Sequence, residues 1–349
     1  MVGTVREMLE AREERSLHPR AARSVATRGR DREDPEDDLR PAFQRDRDRV
    51  LHSKAFRRLG GKTQVFLAPR GDHYRNRLTH TLEVGQVGRS IALALRLNEM
   101  LVEAMVMGHD LGHTPFGHAG ERLLAEVAPG GFHHVVQSLR VVELLEKDGR
   151  GLNLTAEVRD GIARHSKGRG AVLMKGTGNA PLTLEAEVVR LADVIAYVNH
   201  DLDDAVRAGL LTEGDVPPAI RAVLGGRHSE RIATLVRDVV RSSDLDGGGR
   251  ITLSPDVHEA LLRLRDFLYA RVYENPVVHE EFVKAQRILR DLFGWCLEDG
   301  ERARARFGVA PREGETLARA VTDFLSGMTD RFALATWEEI VVPRPWAIV

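Results

Sequence analysis

Residues 108–121 read GHDLGHTPFGHAGE, a run that packs His109, Asp110, His113, His118 and Glu121 among glycines. The stretch before it, LNEMLVEAMVM (97–107), places Leu101, Ala104 and Met105 at helical spacing behind Asn98, a residue suited to capping a helix. Gly112 and Pro115 stop that helix. Adjacent helical residues point about 100° apart, so His109 and Asp110 can converge on one ion only near a helix end. Any further ligands must come from other elements.

Working outward, the same periodicity recurs. Val84, Val87, Ile91 and Leu95 form the packed stripe of a predicted helix from about Asn76 to Leu97, which carries Arg77 and His80. Pro41 to Leu59 reads as one helix with Val50, Leu51, Ala55, Phe56 and Leu59 on its buried side. Residues 1–40, with the polar run RGRDREDPEDD (28–38), read as a charged, partly flexible segment. Beyond the histidine-rich run, helices are expected over 118–128, 132–147 and 184–210. The last has the stripe Val188, Leu191, Ile195, Val198, Leu202 and Val206. The Gly-rich stretch 168–181 reads as a loop, and glycines at 225–226 and 247–249 punctuate a C-terminal part with three or four more helices. Short hairpins are conceivable only near 62–67 and 170–175, and no internal repeat is present. The expected architecture is all-α, with a helical core at 41–215 and a further helical region at 216–349 packed on it.

Composition supports this. The 349 residues are 42 % hydrophobic, 30 % charged and only 5 % aromatic, so the core rests on Leu, Val, Ala and Ile. With 51 basic and 52 acidic residues the formal charge is -1, which gives no global field for gripping nucleic acid or an anionic membrane. A local basic pocket for an anionic small molecule is still allowed. The single cysteine, Cys296, excludes a disulfide framework and a multi-Cys zinc site and is expected to be a buried, inert thiol. No stretch approaches the ~20 apolar residues of a membrane span, and the charged N-terminus lacks a signal-peptide centre. The expected location is the cytoplasm.

His80 in RLTHTLEV and Asp193 in RLADVIAYVNHD lie on separate predicted helices with apolar residues at helical spacing around them. Each alone would more often be a structural polar group. The ordered set H…HD…D, with helical context at every member, is similar to the signature of the HD phosphohydrolase superfamily. Two imidazoles and two carboxylates suit Mn²⁺, Fe²⁺, Mg²⁺ or Ni²⁺, with positions left open for water and a phosphate oxygen. The blocks DRDRVLHSKAFRRLGGKTQVF, GDHYRNRLTHTLEVGQV, LNEMLVEAMVMGHDLGHTPFGHAGE, VRDGIARHS, ADVIAYVNHDLDDAVRAGLL and GMTDRFAL extend the likeness. In order and over most of the chain, they resemble the bacterial dGTPase-like deoxynucleoside triphosphate triphosphohydrolases.

That resemblance implies an HD-domain helical core with additional C-terminal helices and hydrolysis of a dNTP to deoxynucleoside and inorganic triphosphate. It implies metal ligands His80, His109, Asp110 and Asp193, and a catalytic pair His118 and Glu121, three apart on one helical face. His118 could protonate the departing 5′-oxygen or take a proton from water; the sequence leaves both open. His113 would line the phosphate site or support the ligands, and Arg77 would contact phosphate. His134 would lie near substrate, with His133 and His165 weaker candidates. Lys54, Arg57, Arg58 and Lys62 are candidate counter-charges for the polyanion, Arg58 also for the base. Asp193, Tyr197 and Asp201 fall at i, i+4 and i+8 on one helix face. The resemblance puts the Tyr against the deoxyribose and Asp201 on the 3′-hydroxyl. Val135 and Val194 stand where the family commonly has Asn and Arg, which bears on substrate preference rather than on the chemistry. A homo-oligomer (tetramer or hexamer), a dNTP effector and at most single-stranded DNA are the implied partners, with no membrane. Competing readings are another HD nucleotide hydrolase (a 5′-nucleotidase or alarmone hydrolase) and a nucleotide-sensing protein with an idle site.

Overall fold

The computed structural model describes residues 3–64, 75–166 and 180–343. Among these the fold is all-helical, and the sole strand-like pairing is an isolated bridge between Thr63 and Asn76. The hairpin candidate at 170–175, residues 65–67 of the other candidate and most of the Gly-rich loop lie outside the described residues.

Three long helices build the centre. Helix α4 (Arg77–Ala94) packs along α10 (Leu184–Arg207) and α5 (Glu99–His109), burying Val84, Val87, Gly88 and Ile91. Asn76 caps α4 by accepting from the Thr79 amide, and Asn98 caps α5 by accepting from the Met100 and Leu101 amides. Around them lie α2 (Ala42–Leu51), α9 (Ala156–Arg164), α11 (Pro218–Leu224), α12 (His228–Ser242) and α13 (Pro255–Leu268), whose apolar faces complete the larger core. A second apolar cluster joins α6 (Gly117–Val127) to α14 (Pro276–Glu298), α15 (Gly300–Phe307), α16 (Leu317–Ser326) and α17 (Asp330–Val341). Packing therefore groups α11–α13 with the first core, and α6, from the middle of the chain, with the last helices. Cys296 is 1 % exposed inside the second cluster, and burial pushes its thiol up to about 11.

Several expectations change. The first 40 residues contain a helix, α1 (Val5–Ser16), with a Thr4 capping box. The polar run beyond it is tied to the core by charge. Asp34 pairs with Arg45 (2.5 Å) and Arg49 (2.6 Å), Asp31 with Arg159 (2.6 Å), and Arg30 with the buried Asp46. The single helix expected over 41–59 is two, α2 and α3 (Lys54–Arg58). Ser53 starts the second by accepting from the Phe56 amide, and Glu146 accepts from Ala55 N at 2.7 Å. The helix expected over 132–147 is α7 (His134–Arg140), a π turn at Val141–Leu145 and the one-turn α8 (Glu146–Gly149), whose Lys147 and Asp148 are left-handed. Among the described residues seven helices, α11 to α17, follow α10, not three or four.

One junction sets the position of the histidine-rich run. Ser138 of α7 donates to the His109 carbonyl (2.7 Å) and accepts from Gly112 N (2.9 Å), stitching the end of α5 to α7. A Cβ on Gly112 would sit 2.2 Å from Ser138 N and 2.5 Å from the His134 carbonyl oxygen, both backbone atoms unable to swing away. Gly112→Ala should therefore cost about 3 kcal/mol, as overpacking against rigid neighbours does. Urea unfolding of the variant beside wild type measures it.

Candidate metal centre and cleft

His109 is the last residue of α5 and Asp110 its C-cap, so the helix end frees the two neighbours to face one point. His80 comes from the first turn of α4 and Asp193 from α10. His80 Nε2 lies 3.2 Å from Asp193 Oδ1 and 4.0 Å from Asp110 Oδ2. His109 Nε2 lies 3.3 Å from Asp110 Oδ1 and 3.8 Å from Asp193 Oδ1. Atoms each about 2.1 Å from one ion stand about 3–4 Å apart, so the four fit a common cation. The tautomer agrees. His109 Nδ1 donates to the Val106 carbonyl at 2.6 Å, which leaves Nε2 a bare lone pair. That buried atom has no hydrogen-bond partner, although carboxylate oxygens surround it. A divalent ion satisfies such an arrangement.

Arg77, 2 % exposed, donates to Asp110 Oδ2 at 2.8 Å. Burial would raise the Asp110 pKa, but the facing His109, His113 and Arg77 hold it well below the usual range. His113 Nε2 sits 3.3 Å from Asp110 Oδ1, and its ring stacks on His134 at 4.0 Å and 12°. Parallel rings aim their lone pairs side by side rather than at one point, so His113 and His134 do not share an ion. His165 donates through Nδ1 to the Ile162 carbonyl (2.8 Å) and faces His134 Nε2 at 3.3 Å; burial pushes its pKa down to about 3.

These groups line a cleft of about 340 Å³, within the range of small-molecule sites. His118 opens onto the cleft, where the crowding of its ring by packed neighbours, with Arg77, lowers its pKa against the opposing charge of Glu121. Glu121, expected to orient and charge His118, raises the pKa of that ring through its charge but makes its hydrogen bonds to His134. Glu121 Oε1 accepts from both Nδ1 (2.8 Å) and the backbone amide (2.9 Å) of His134, two donors presented at once where α7 begins. Burial would raise Glu121, but this contact keeps it ionised well below the usual range. His133 stacks on His134 at 4.8 Å.

Tyr197 and Asp201 follow Asp193 by one and two turns of α10 and line the same cleft. Asp201 accepts from the Tyr273 hydroxyl through Oδ2, while its buried Oδ1 has no partner and is free to take a ligand hydroxyl. Tyr269 and Tyr273, from the π turn after α13, were not anticipated, yet they complete this wall. Three of the chain's four tyrosines, Tyr197, Tyr269 and Tyr273, line this one cleft, and no sequence motif marks the last two.

The cationic candidates of 54–62 do not reach the cleft. Lys54 and Arg58 line a separate cavity of about 160 Å³, with Lys54 3.5 Å from Asp148, because Glu146 fixes the start of α3 against the α8 turn. Lys62 is buried, donating Nζ to the His113 carbonyl and, at 2.8 Å, to that of Ser326; burial pushes it down to about 7. Arg57 is exposed and turned to the His52 carbonyl.

The HD-domain profile matches residues 77–198, the part that supplies all four converging ligands, and the phosphohydrolase-associated domain profile matches 251–339. The helical fold and this cluster thus define an HD-domain phosphohydrolase. Three similar proteins share the name deoxyguanosinetriphosphate triphosphohydrolase-like protein. That of Caldanaerobacter subterraneus is 50 % identical over 98 % of this chain and 97 % of its own length. That of Desulfatibacillum aliphaticivorans is 50 % identical over 98 % and 99 %. That of Clostridium tetani is 44 % identical over 98 % and 97 %. The chain belongs to the family of deoxyguanosinetriphosphate triphosphohydrolase-like proteins. Among the described residues, no helix is long and apolar enough to cross a membrane.

Burial raises Asp201 to about 7 from 3.8, against the opposing Tyr273 hydrogen bond. Between those values the native protein holds a proton that the unfolded chain has released, so this group's contribution to stability falls as pH rises. Asp201→Asn removes that fall. The Tm of the variant relative to wild type should rise between pH 5 and pH 8, a trend that thermal melts across the range will read.

Proposed function

We propose that the protein hydrolyses deoxynucleoside triphosphates to deoxynucleoside and inorganic triphosphate. The observation that carries the reading is the convergence of His80, His109, Asp110 and Asp193, with an unpartnered imidazole nitrogen among them, beside a cleft of nucleotide size. A divalent ion held there would lower the pKa of water and offset charge on phosphoryl oxygens.

The chain's own residues divide the remaining work. Arg77 and His113 offer donors to the phosphate chain, while Glu121 and His165 hold the His134 ring by its two nitrogens on the wall of the cleft beside them. Water attacks the α-phosphorus, the bond from that phosphorus to the 5′-oxygen breaks, and the 5′-oxygen takes a proton as the nucleoside leaves. His118, exposed in the cleft, is the group placed to move that proton. Its lowered pKa favours the neutral ring in the free protein, and a bound polyanion raises it toward the charged form. Tyr197 packs its ring over the sugar, so a 2′-hydroxyl would meet it, and Asp201 Oδ1 accepts from the 3′-hydroxyl.

Incubation of the purified protein with each dNTP, singly and mixed, with Mn²⁺ or Mg²⁺ tests this. Chromatography should show nucleoside and intact triphosphate, and Asp110→Ala should abolish turnover. A monophosphate product would refute the proposed bond cleavage. Turnover confined to mixtures would favour the dNTP effector expected from the family likeness, and sizing of the same sample tests the homo-oligomer.

Tyr197→Ala should lower the preference for dNTP over the matching ribonucleotide by about tenfold or more in kcat/KM, since it removes steric exclusion. Competing-substrate kinetics measure the ratio.

A further inference from the structure

The segment GMTDRFAL (327–334) has no part in the cleft as described so far, yet it touches the loop that carries the cleft's histidines. Phe116, between His113 and His118, is left-handed (φ 61, ψ 23), and Gly117 follows at φ 55. A phenylalanine rarely holds that conformation without support. The Phe116 ring is buried in the second apolar cluster, and its amide donates to Asp330 Oδ1 at 2.8 Å. Asp330 Oδ2 accepts from Thr63 N at 2.9 Å and from the Thr63 hydroxyl. Helix α17, which Asp330 begins, has its own cap, Thr329, accepting from the Phe332 amide. Both carboxylate oxygens of Asp330 are thus directed at other elements, not at the helix that carries it. Lys62 runs parallel to this tie, from the Ser326 carbonyl to that of His113. The turn also has no slack, since a Cβ on Gly117 would lie 3.3 Å from the Gln64 carbonyl oxygen.

We propose that Asp330 is a positioning residue for the reaction, holding the left-handed Phe116–Gly117 turn and so setting where His118 stands relative to His113 and the phosphate chain. His118 lies in the first turn of α6, two residues after the pinned amide, with its ring centroid 6.5 Å from that of His113 and 6.3 Å from that of Tyr273. A change in the turn moves His118 while leaving His80, His109, Asp110 and Asp193 in place, because these belong to α4, the end of α5 and α10. The inference rests on the hydrolase reading for its kinetic consequence, but not for its structural one.

The test compares full-length Asp330→Ala, Asp330→Asn and Thr63→Val with wild type. Asp330→Ala should lose about 100-fold in kcat with KM within about threefold, the pattern of a misplaced reacting group with binding retained. Asp330→Asn keeps a carbonyl oxygen for Phe116 N and should lose less than about tenfold. Thr63→Val removes one bond to Asp330 without freeing Phe116 and should stay within about threefold. Bound metal per chain should equal wild type in all three. Hydrogen exchange of a peptide spanning 113–119 should speed by at least about tenfold in Asp330→Ala and stay unchanged in Thr63→Val. Equal kcat losses for the Ala and Asn variants, or unchanged exchange in Asp330→Ala, would overturn the proposal. Should Asp330→Ala fail to fold, the contrast of Asp330→Asn with Thr63→Val in kcat and exchange decides. If wild type turns over no dNTP, the functional reading fails by itself, and the exchange measurement still judges Asp330.

Discussion

Two carboxylates from helices far apart in sequence, Asp110 and Asp193, are brought within reach of the same histidine nitrogens. Bringing negative groups together away from water is unfavourable unless positive charge lies between or beside them. Arg77 supplies part of that charge through its bond to Asp110. The rest of the local design follows from this constraint. α4 must bring its first turn to the end of α5, α10 must run close along both, and the small residue Gly88 allows the approach. The larger apolar core thereby holds an arrangement that electrostatics alone would push apart.

Much of this was readable in advance. The Asn98 cap, the stripes of α4 and α10 and the stop after His109 are local signals, and local signals survive folding. His80, His109, Asp110 and Asp193, expected together from the family likeness, do converge on one point. What failed was long-range. Glu121 was assigned to His118 because the two share a helical face, but a residue thirteen positions on, His134, arrives with two donors. Lys54 and Arg58 were assigned to the phosphate because cations and polyanions attract. Their direction depends on Glu146, a capping contact across some ninety residues that no periodicity announces. Tyr269 and Tyr273 sit in a π turn that folds back from the C-terminal part, where no motif marked the site.

The polar N-terminal run shows the same limit from the other side. Its composition matches a solvated segment, and most such runs are that. Here Asp31, Asp34 and Arg30 each find partners on α2 or α9, so charge that would ordinarily face water becomes the means of attachment. Individual exposed pairs of this kind contribute little. A set converging on Asp34, with the fully buried Asp46 at its end, fixes a path for the chain.

Helix α6 belongs to both halves of the molecule. One side carries His118 and Glu121 into the cleft, and the other gives Leu123 and Leu124 to the cluster built with α14 to α17. A chain shortened to end before Pro276 would keep His80, His109, Asp110 and Asp193 and the whole larger core. It would also leave Phe116, Leu123 and Leu124 facing water, with the helix that bears His118 stripped of its backing. The last fifth of the sequence thus backs one wall of the cleft, and damage there would loosen the site while the larger core stayed whole.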